Sequence, residues 1–199
     1  MNGSDLSALL ILATAMSFTP GPNTTLSAAL AANRGLRGAL PFICAVPAGW
    51  GLLLLLCGVG LGALVQAVPV LRLGVKALGL GYLLWLAWQL SRSARLGEAR
   101  AEQLQVGFVQ GVALQFVNIK AWMLALTLTG TWISGQPDAA QRLAVVLPVM
   151  LAYAFFSNLC YAALGALLRP WLARGGRLLA FNRTMAAVLV ATAVWMGRA

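Results

Sequence analysis

The sequence predicts an all-α integral membrane protein of about six transmembrane helices. Of its 199 residues, 61% are hydrophobic and 9% are charged, whereas charged residues make up about 25% of a typical soluble domain. Apolar runs of about 20 residues, long enough to cross the hydrocarbon core of a bilayer, recur along most of the chain. We therefore treat residues 1–199 as a single transmembrane domain.

The six predicted spans follow these apolar runs. They cover residues 6–30, 39–65, 73–90, 106–133, 143–168 and 178–196. Six spans divide into two halves of three, residues 1–91 and residues 106–199. Because three is odd, the second half would enter the membrane from the opposite side, which is the inverted-repeat arrangement of many transporters.

The basic residues predict the orientation. Most of them lie in short connections between apolar runs and not on one face, so the net charge of +10 indicates contact with lipid headgroups and not with nucleic acid. The connections after spans one, three and five carry eight arginines: Arg34, Arg37, Arg92, Arg95, Arg100, Arg169, Arg174 and Arg177. The opposite side carries three: Arg72, Arg142 and Arg198. The positive-inside rule places the first set in the cytoplasm and both termini outside.

Residue types needed for catalysis or metal binding are scarce. The chain has no histidine, and its three cysteines all lie in apolar runs, which is typical of buried apolar residues. The carboxylates lie at span ends or in connections: Asp5, Glu98, Glu102 and Asp138. We therefore expect no catalytic residue, metal site or cofactor. A membrane enzyme acting on a lipid-linked substrate and a metal-ion exporter are both disfavoured, and a membrane scaffold without transport activity is the remaining alternative.

The most informative motif breaks the first span. Pro20 and Pro22 lack the N–H groups that the carbonyls of Met16 and Phe18 would bind, and Gly21 loosens the backbone between them. Backbone exposed to lipid cannot carry unpaired polar groups, so a break at this depth predicts a cavity enclosed by protein. A simple proline kink is the alternative.

A new half-helix can begin after this break, with Asn23 as its N-cap. The positive end of its dipole could hold an anion such as a carboxylate near the bilayer midplane. Asn23, Thr24 and Thr25 add uncharged donors and acceptors. We therefore predict a substrate site formed by Pro20, Gly21, Pro22, Asn23, Thr24 and Thr25.

Lys120 extends this site to the second half. A cation deep within a span costs about 3 kcal/mol or more, so Lys120 should face a cavity or a partner. Two partners are possible: a backbone carbonyl freed by the break in span one, or a substrate carboxylate. The alternative is a side chain that extends to the membrane interface. Asn118, which lies midway along span four as Asn23 does along span one, completes the predicted site.

These motifs resemble the LysE/RhtB-type amino-acid exporters, the family of lysine exporters and homoserine/threonine efflux translocators. The resemblance covers nearly the whole chain. It is carried by Pro20-Gly21-Pro22-Asn23, Gly35, Gly38, Lys76, Gly79, Tyr82-Leu83, Phe108, Gly111, Asn118, Lys120-Ala121 and Phe181-Asn182-Arg183. The usual Asn-Pro-Lys-Ala of the family reads Asn118-Ile119-Lys120-Ala121 here, so the sequence leaves open whether span four is broken at this point.

The resemblance implies a secondary exporter of a small amino acid or derivative in the bacterial inner membrane, generally driven by the proton gradient. The expected partners are a small amino-acid-like substrate, membrane lipids and a proton or other coupling ion, and the chain could form a homo-oligomer. The absence of carboxylates from the spans favours neutral, zwitterionic substrates, although the faces of Tyr82, Tyr153 or Tyr161 could bind a cation.

Overall fold

The computed structural model describes residues 1–93 and 106–198, and the described residues form helices, turns and short connections without strands. The predicted all-α fold is thus confirmed. The helices are α1 (Gly3–Phe18), α2 (Pro22–Gly58), α3 (Leu61–Ala67), α4 (Pro69–Ser91), α5 (Phe108–Val117), α6 (Ile119–Leu128), α7 (Ala139–Leu172) and α8 (Arg177–Arg198). A π-helical turn, Thr129–Ile133, continues α6.

Several of these helices suit a bilayer. Among the described residues, α2, α4, α7 and α8 are each long and apolar enough to cross a membrane. α5 and α6 with its π-helical turn pass the same test as a pair that is bent by 67°. α1, with 16 residues, is apolar but shorter. The count of six spans and the inverted repeat stay predictions.

Glycine divides the long helix α2. Gly35 has φ 76° and ψ 168°, which interrupts the helix. Glycine adopts a positive φ with little cost because it has no Cβ. The part of α2 before Gly35 corresponds to the second half of predicted span one, and the part after it corresponds to span two. Span two is shorter than predicted because Gly60, at φ 104°, separates α2 from α3.

Tight packing of α2 on α7 forms the centre of the molecule. A Cβ built on Gly165 of α7 would lie 2.2 Å from the carbonyl oxygen of Ala28 in α2, so only glycine permits this approach. Two large apolar clusters flank the region. One contains Leu26, Phe42, Val46, Leu83 and Leu189, and the other contains Leu9, Trp50, Leu53, Ala125 and Met150.

A buried amide pair joins three helices at the basic end of the molecule. Asn33 of α2 and Asn182 of α8 exchange two side-chain hydrogen bonds of 2.8 and 3.0 Å. Asn182 also donates to the carbonyl oxygen of Ser93, just after α4. Each amide therefore has partners, although both side chains are buried.

Two of the arginines predicted to face the cytoplasm stack on tryptophan. The guanidinium carbon of Arg92 lies 5.0 Å from the ring centre of Trp88, and that of Arg177 lies 4.7 Å from the ring centre of Trp171. Such pairs are typical of the membrane–water interface. The other charged residues predicted for the connection after span three lie outside the described residues: Arg95, Glu98, Arg100 and Glu102.

Candidate functional site

The predicted break in span one is present. α1 ends at Phe18 and α2 begins at Pro22. The predicted N-cap is wrong, however: Gly21 and not Asn23 occupies that position. Pro22 takes the first helical position, where its missing N–H costs nothing. The Gly21 N–H donates to the Thr24 hydroxyl at 3.0 Å, which completes the cap.

Side chains from the second half of the chain bind the carbonyls at this break. The Tyr161 hydroxyl donates to the carbonyl oxygen of Phe18 at 2.9 Å and so replaces the N–H that Pro22 lacks. The Lys120 ammonium donates to the carbonyl oxygen of Thr19, also at 2.9 Å. Of the two partners predicted for Lys120, the freed backbone carbonyl is thus the one observed.

A second break is present although its proline is missing. Asn118, at φ −86° and ψ 102°, separates α5 from α6. Its side-chain oxygen accepts the backbone N–H of Lys120 at 3.1 Å, so Asn118 caps α6. The indole N–H of Trp122 donates to the carbonyl oxygen of Phe116 at 2.8 Å. A side-chain cap and an aromatic donor therefore maintain the break with Ile119 in the position of the usual proline.

A reciprocal amide pair links the two breaks. The Asn23 side chain donates to Gln115 at 2.9 Å, and Gln115 donates back to Asn23 at 3.1 Å. Gln115 also donates to the carbonyl oxygen of Gly111 and is fully buried. The sequence prediction did not include Gln115. A glutamine inside an apolar run was the signal that could have found it.

α7 adds two polar residues that were also missed. The Ser27 hydroxyl donates to the side-chain oxygen of Asn158 at 2.8 Å, and Asn158 donates to the carbonyl oxygen of Ala154 at 2.7 Å. Ser157 and Asn158 are both buried. Two adjacent polar residues in an otherwise apolar span are costly in a membrane, and this was a usable signal.

One cavity, of about 70 Å³, lies where the two breaks meet. Its lining includes six of the eight predicted site residues: Gly21, Pro22, Asn23, Thr24, Asn118 and Lys120. Of the other two, Pro20 is exposed outside this lining, and Thr25 is buried within the packing of α2. The remaining lining residues are Met16, Ser17, Thr19, Val46, Trp50, Ala121, Leu124, Met150, Ala154, Ser157 and Asn158.

Comparison with known families decides what kind of protein carries this cavity. A family model described as LysE type translocator matches residues 14–198. The chain belongs to the LysE type translocator family. Together with its apolar helices, this membership makes it a multi-pass membrane protein, and the predicted resemblance is confirmed.

Curated relatives of this translocator cover nearly its whole length. It is 32% identical to a cysteine/O-acetylserine efflux protein of Klebsiella pneumoniae, over 95% of each chain. A protein of the same name from Salmonella typhimurium is 30% identical over 95% of each chain. Another, from Escherichia coli K12, is 30% identical over 92% of this chain and 91% of the relative. No solved structure matches the chain.

The electrostatics of the translocator's cavity favour binding of an anion beside the first residues of α2 and α6. Both α2 and α6 begin at the cavity, so the positive ends of two helices meet there. In α2 the first backbone bond within the helix runs from the Thr25 N–H to the Gly21 carbonyl, which leaves the N–H groups of Asn23 and Thr24 without partners inside the helix. Lys120 is the one charged residue among the described lining residues.

Proposed function

We propose that this chain is a secondary exporter of a small, neutral amino acid or amino-acid derivative across the bacterial inner membrane. The observation that carries the proposal is the polar cavity between two broken helices, with the Lys120 ammonium in its lining. A broken helix inside a membrane protein is energetically tolerable where it borders such a cavity. Family membership supports transport as the activity.

The substrate carboxylate would bind at the start of α2. The free N–H groups of Asn23 and Thr24 and the positive end of the helix attract an anion, and Lys120 supplies a second, charged donor. Asn118 would fix the start of α6 through its hydrogen bond to the Lys120 backbone, and Gln115 would fix the position of Asn23 beside it. The six predicted site residues that line the cavity would thus act as one binding surface.

The composition of the cavity favours a substrate without a cationic side chain. No Asp or Glu is among the described residues that line it, so a lysine or arginine side chain would find no carboxylate there. The cavity is also small, at about 70 Å³. Cysteine and O-acetylserine, the compounds in the names of the relatives, are small and carry no charged side chain, and this agrees with the proposal.

Orientation and energy source complete the proposal. The excess of arginines in the connections after spans one, three and five supports a cytoplasmic position for them and an outside position for both termini. The proton gradient would drive export, with Lys120 or the substrate amine as the proton carrier. Alternating access would move one half of the chain against the other around the cavity.

Efflux from bacteria tests the proposal. Cells preloaded with labelled amino acids, with cysteine and O-acetylserine among them, should lose one neutral compound faster when they express this chain. Lys120→Ala should abolish or uncouple this efflux, whereas Arg72→Ala, which changes an exposed cation outside the cavity lining, should leave it intact. An unchanged rate for every compound, with the protein verified in the membrane, would contradict export.

A further inference from the structure

The bond between Lys120 and Thr19 occupies the place where a substrate would bind. We infer that an amino acid inserts its zwitterionic backbone between these two groups. The α-carboxylate then binds the Lys120 ammonium, and the α-ammonium binds the Thr19 carbonyl oxygen. This inference rests on the proposed export of amino acids and identifies which groups of the substrate are recognised.

The Thr19 carbonyl oxygen already binds an ammonium group, that of Lys120. Its oxygen accepts from the Lys120 ammonium at 2.9 Å, and both groups lie in the cavity lining. A lysine ammonium and an α-ammonium present the same three N–H donors. The carbonyl also lies just past the end of α1, where the helix dipole is negative and favours a cation.

Lys120 gains a better partner when it leaves Thr19. An ammonium that donates to a carboxylate forms a bond with charge on both sides, which is stronger than a bond to a neutral carbonyl. Insertion of a zwitterion therefore replaces one ammonium–carbonyl bond with an ammonium–carbonyl bond and an ammonium–carboxylate bond. The free N–H groups at the start of α2 are available to the second carboxylate oxygen.

Gly21 allows the Lys120 side chain to lie close to the helix break. A Cβ built on Gly21 would lie 3.3 Å from both Cδ and Nζ of Lys120, so the lysine side chain lies directly against the glycine. The backbone of Gly21 is extended, at φ −167°, and any residue can adopt that conformation. Contact with Lys120, and not backbone geometry, is therefore what favours glycine at this position.

The arrangement requires both charged ends of the substrate. A compound without a free amine leaves the Thr19 carbonyl without a donor, and one without a carboxylate leaves Lys120 without its new partner. The substrate class is thus the free α-amino acids. Blocking either end removes a hydrogen bond to a charged group, which is worth about 1.5–3 kcal/mol and corresponds to about ten- to hundredfold weaker binding.

Competition in proteoliposomes tests the inference on the full chain. Uptake or release of the amino acid identified by efflux is measured against its N-acetyl derivative and its carboxamide. Each derivative should inhibit at least about tenfold more weakly than the parent amino acid. Equal inhibition by either derivative would overturn the inference and leave amino-acid export standing. Failure of every free amino acid to be transported would instead overturn the proposed function and the inference with it.

NMR of the two lysines gives a direct readout. Lys76 and Lys120 are the lysines of the sequence, and a Lys76→Arg variant assigns the two ¹³Cε signals of protein grown with labelled lysine. The free amino acid should shift the Lys120 signal and leave the Lys76 signal in place. A Lys120 signal that stays unchanged at saturating amino acid would overturn the inference, as would an equal shift with the same concentration of the carboxamide, which has no carboxylate to bind Lys120.

Discussion

Side-chain donors take the place of backbone N–H groups at both helix breaks. Tyr161 and Lys120 bind the carbonyls of Phe18 and Thr19, and Trp122 binds that of Phe116. An unpaired backbone group in hydrocarbon costs several kcal/mol. Each break is therefore possible only where a distant or neighbouring side chain provides the missing donor.

Gly21→Ala tests the contact between Gly21 and Lys120. The added methyl group would lie 3.3 Å from two atoms of the lysine side chain, so Lys120 must move by a few tenths of an ångström. We expect transport to fall severalfold while the apparent Tm of the purified protein changes little. Gly74→Ala in α4, where a Cβ meets nothing within 4 Å, is the matched control and should transport normally. Equal transport by both variants would contradict the contact's role.

Acid should weaken the ion pairs at the start of α7. Arg142 donates to the Asp138 carboxylate at 2.6 Å and lies 3.6 Å from Asp5 of α1. The hydrogen bond from Arg142 holds the pKa of the Asp138 carboxyl below its usual range. Because the folded-state pKa is the lower one, this stabilisation is present above the usual carboxyl range and is lost as the pH falls through the lowered value.

The measurement is the apparent Tm of purified protein as the pH falls below about 4, the ordinary range of an Asp carboxyl. The wild-type Tm should decrease more than that of Asp138→Asn, which has no carboxylate to protonate at this position. An equal decrease in both proteins would show that protonation of Asp138 does not contribute to the loss of stability in acid.

At the scale of helices, the two breaks differ in how well the sequence predicts them. Proline makes the first break explicit, because a missing N–H can be read directly from the residue type. The second break depends on Asn118 as a cap, and an asparagine in an apolar run is compatible with a continuous helix as well. The wrong N-cap at Asn23 has a similar cause: Gly21 is also a possible cap, and the preference of Pro22 for the first helical position decides between them.

Ile119→Pro should restore the usual family sequence without damage. Ile119 is the first residue of α6, where a proline needs no N–H partner, and the extended conformation of Asn118 is the one favoured before proline. We expect transport within about twofold of the wild type and a free energy of unfolding that is equal or higher by about 0.4–1 kcal/mol.

Ala125→Pro is the contrasting variant for this test. It places proline inside α6, where loss of the hydrogen bond and the steric clash cost about 3 kcal/mol or more. A loss of folding in Ile119→Pro as large as that in Ala125→Pro would show that the cap at Asn118 is not sufficient to accommodate proline.

On the scale of the whole molecule, the sequence predicted helices and their approximate positions but not how they meet. Hydropathy reports that a segment is apolar, and it does not report which neighbour a side chain faces. The contact of Tyr161 with α1 was missed for this reason, and so were the pairings of Gln115 with Asn23 and of Asn158 with Ser27. The inverted repeat stays a prediction, supported by a break in each half.

Thiol labelling tests the orientation. In a variant without Cys44, Cys57 and Cys160, single cysteines are introduced by Leu36→Cys, beside the interruption in α2, and by Gln136→Cys, between α6 and α7. A maleimide that cannot cross the membrane should label the second position in intact cells, and the first only after the cells are opened. The reverse pattern would invert the predicted topology.

The donors at the first break have a consequence for how the protein is made. Lys120 and Tyr161 follow their acceptor carbonyls by 101 and 143 residues along the chain. Since synthesis proceeds from the N-terminus, the first two helices reach the membrane long before either donor exists. The partners of these carbonyls until then are water or the insertion machinery: the Thr19 carbonyl waits for α6 and the Phe18 carbonyl for α7. Completion of the first helix break is therefore a late step in the biogenesis of this protein.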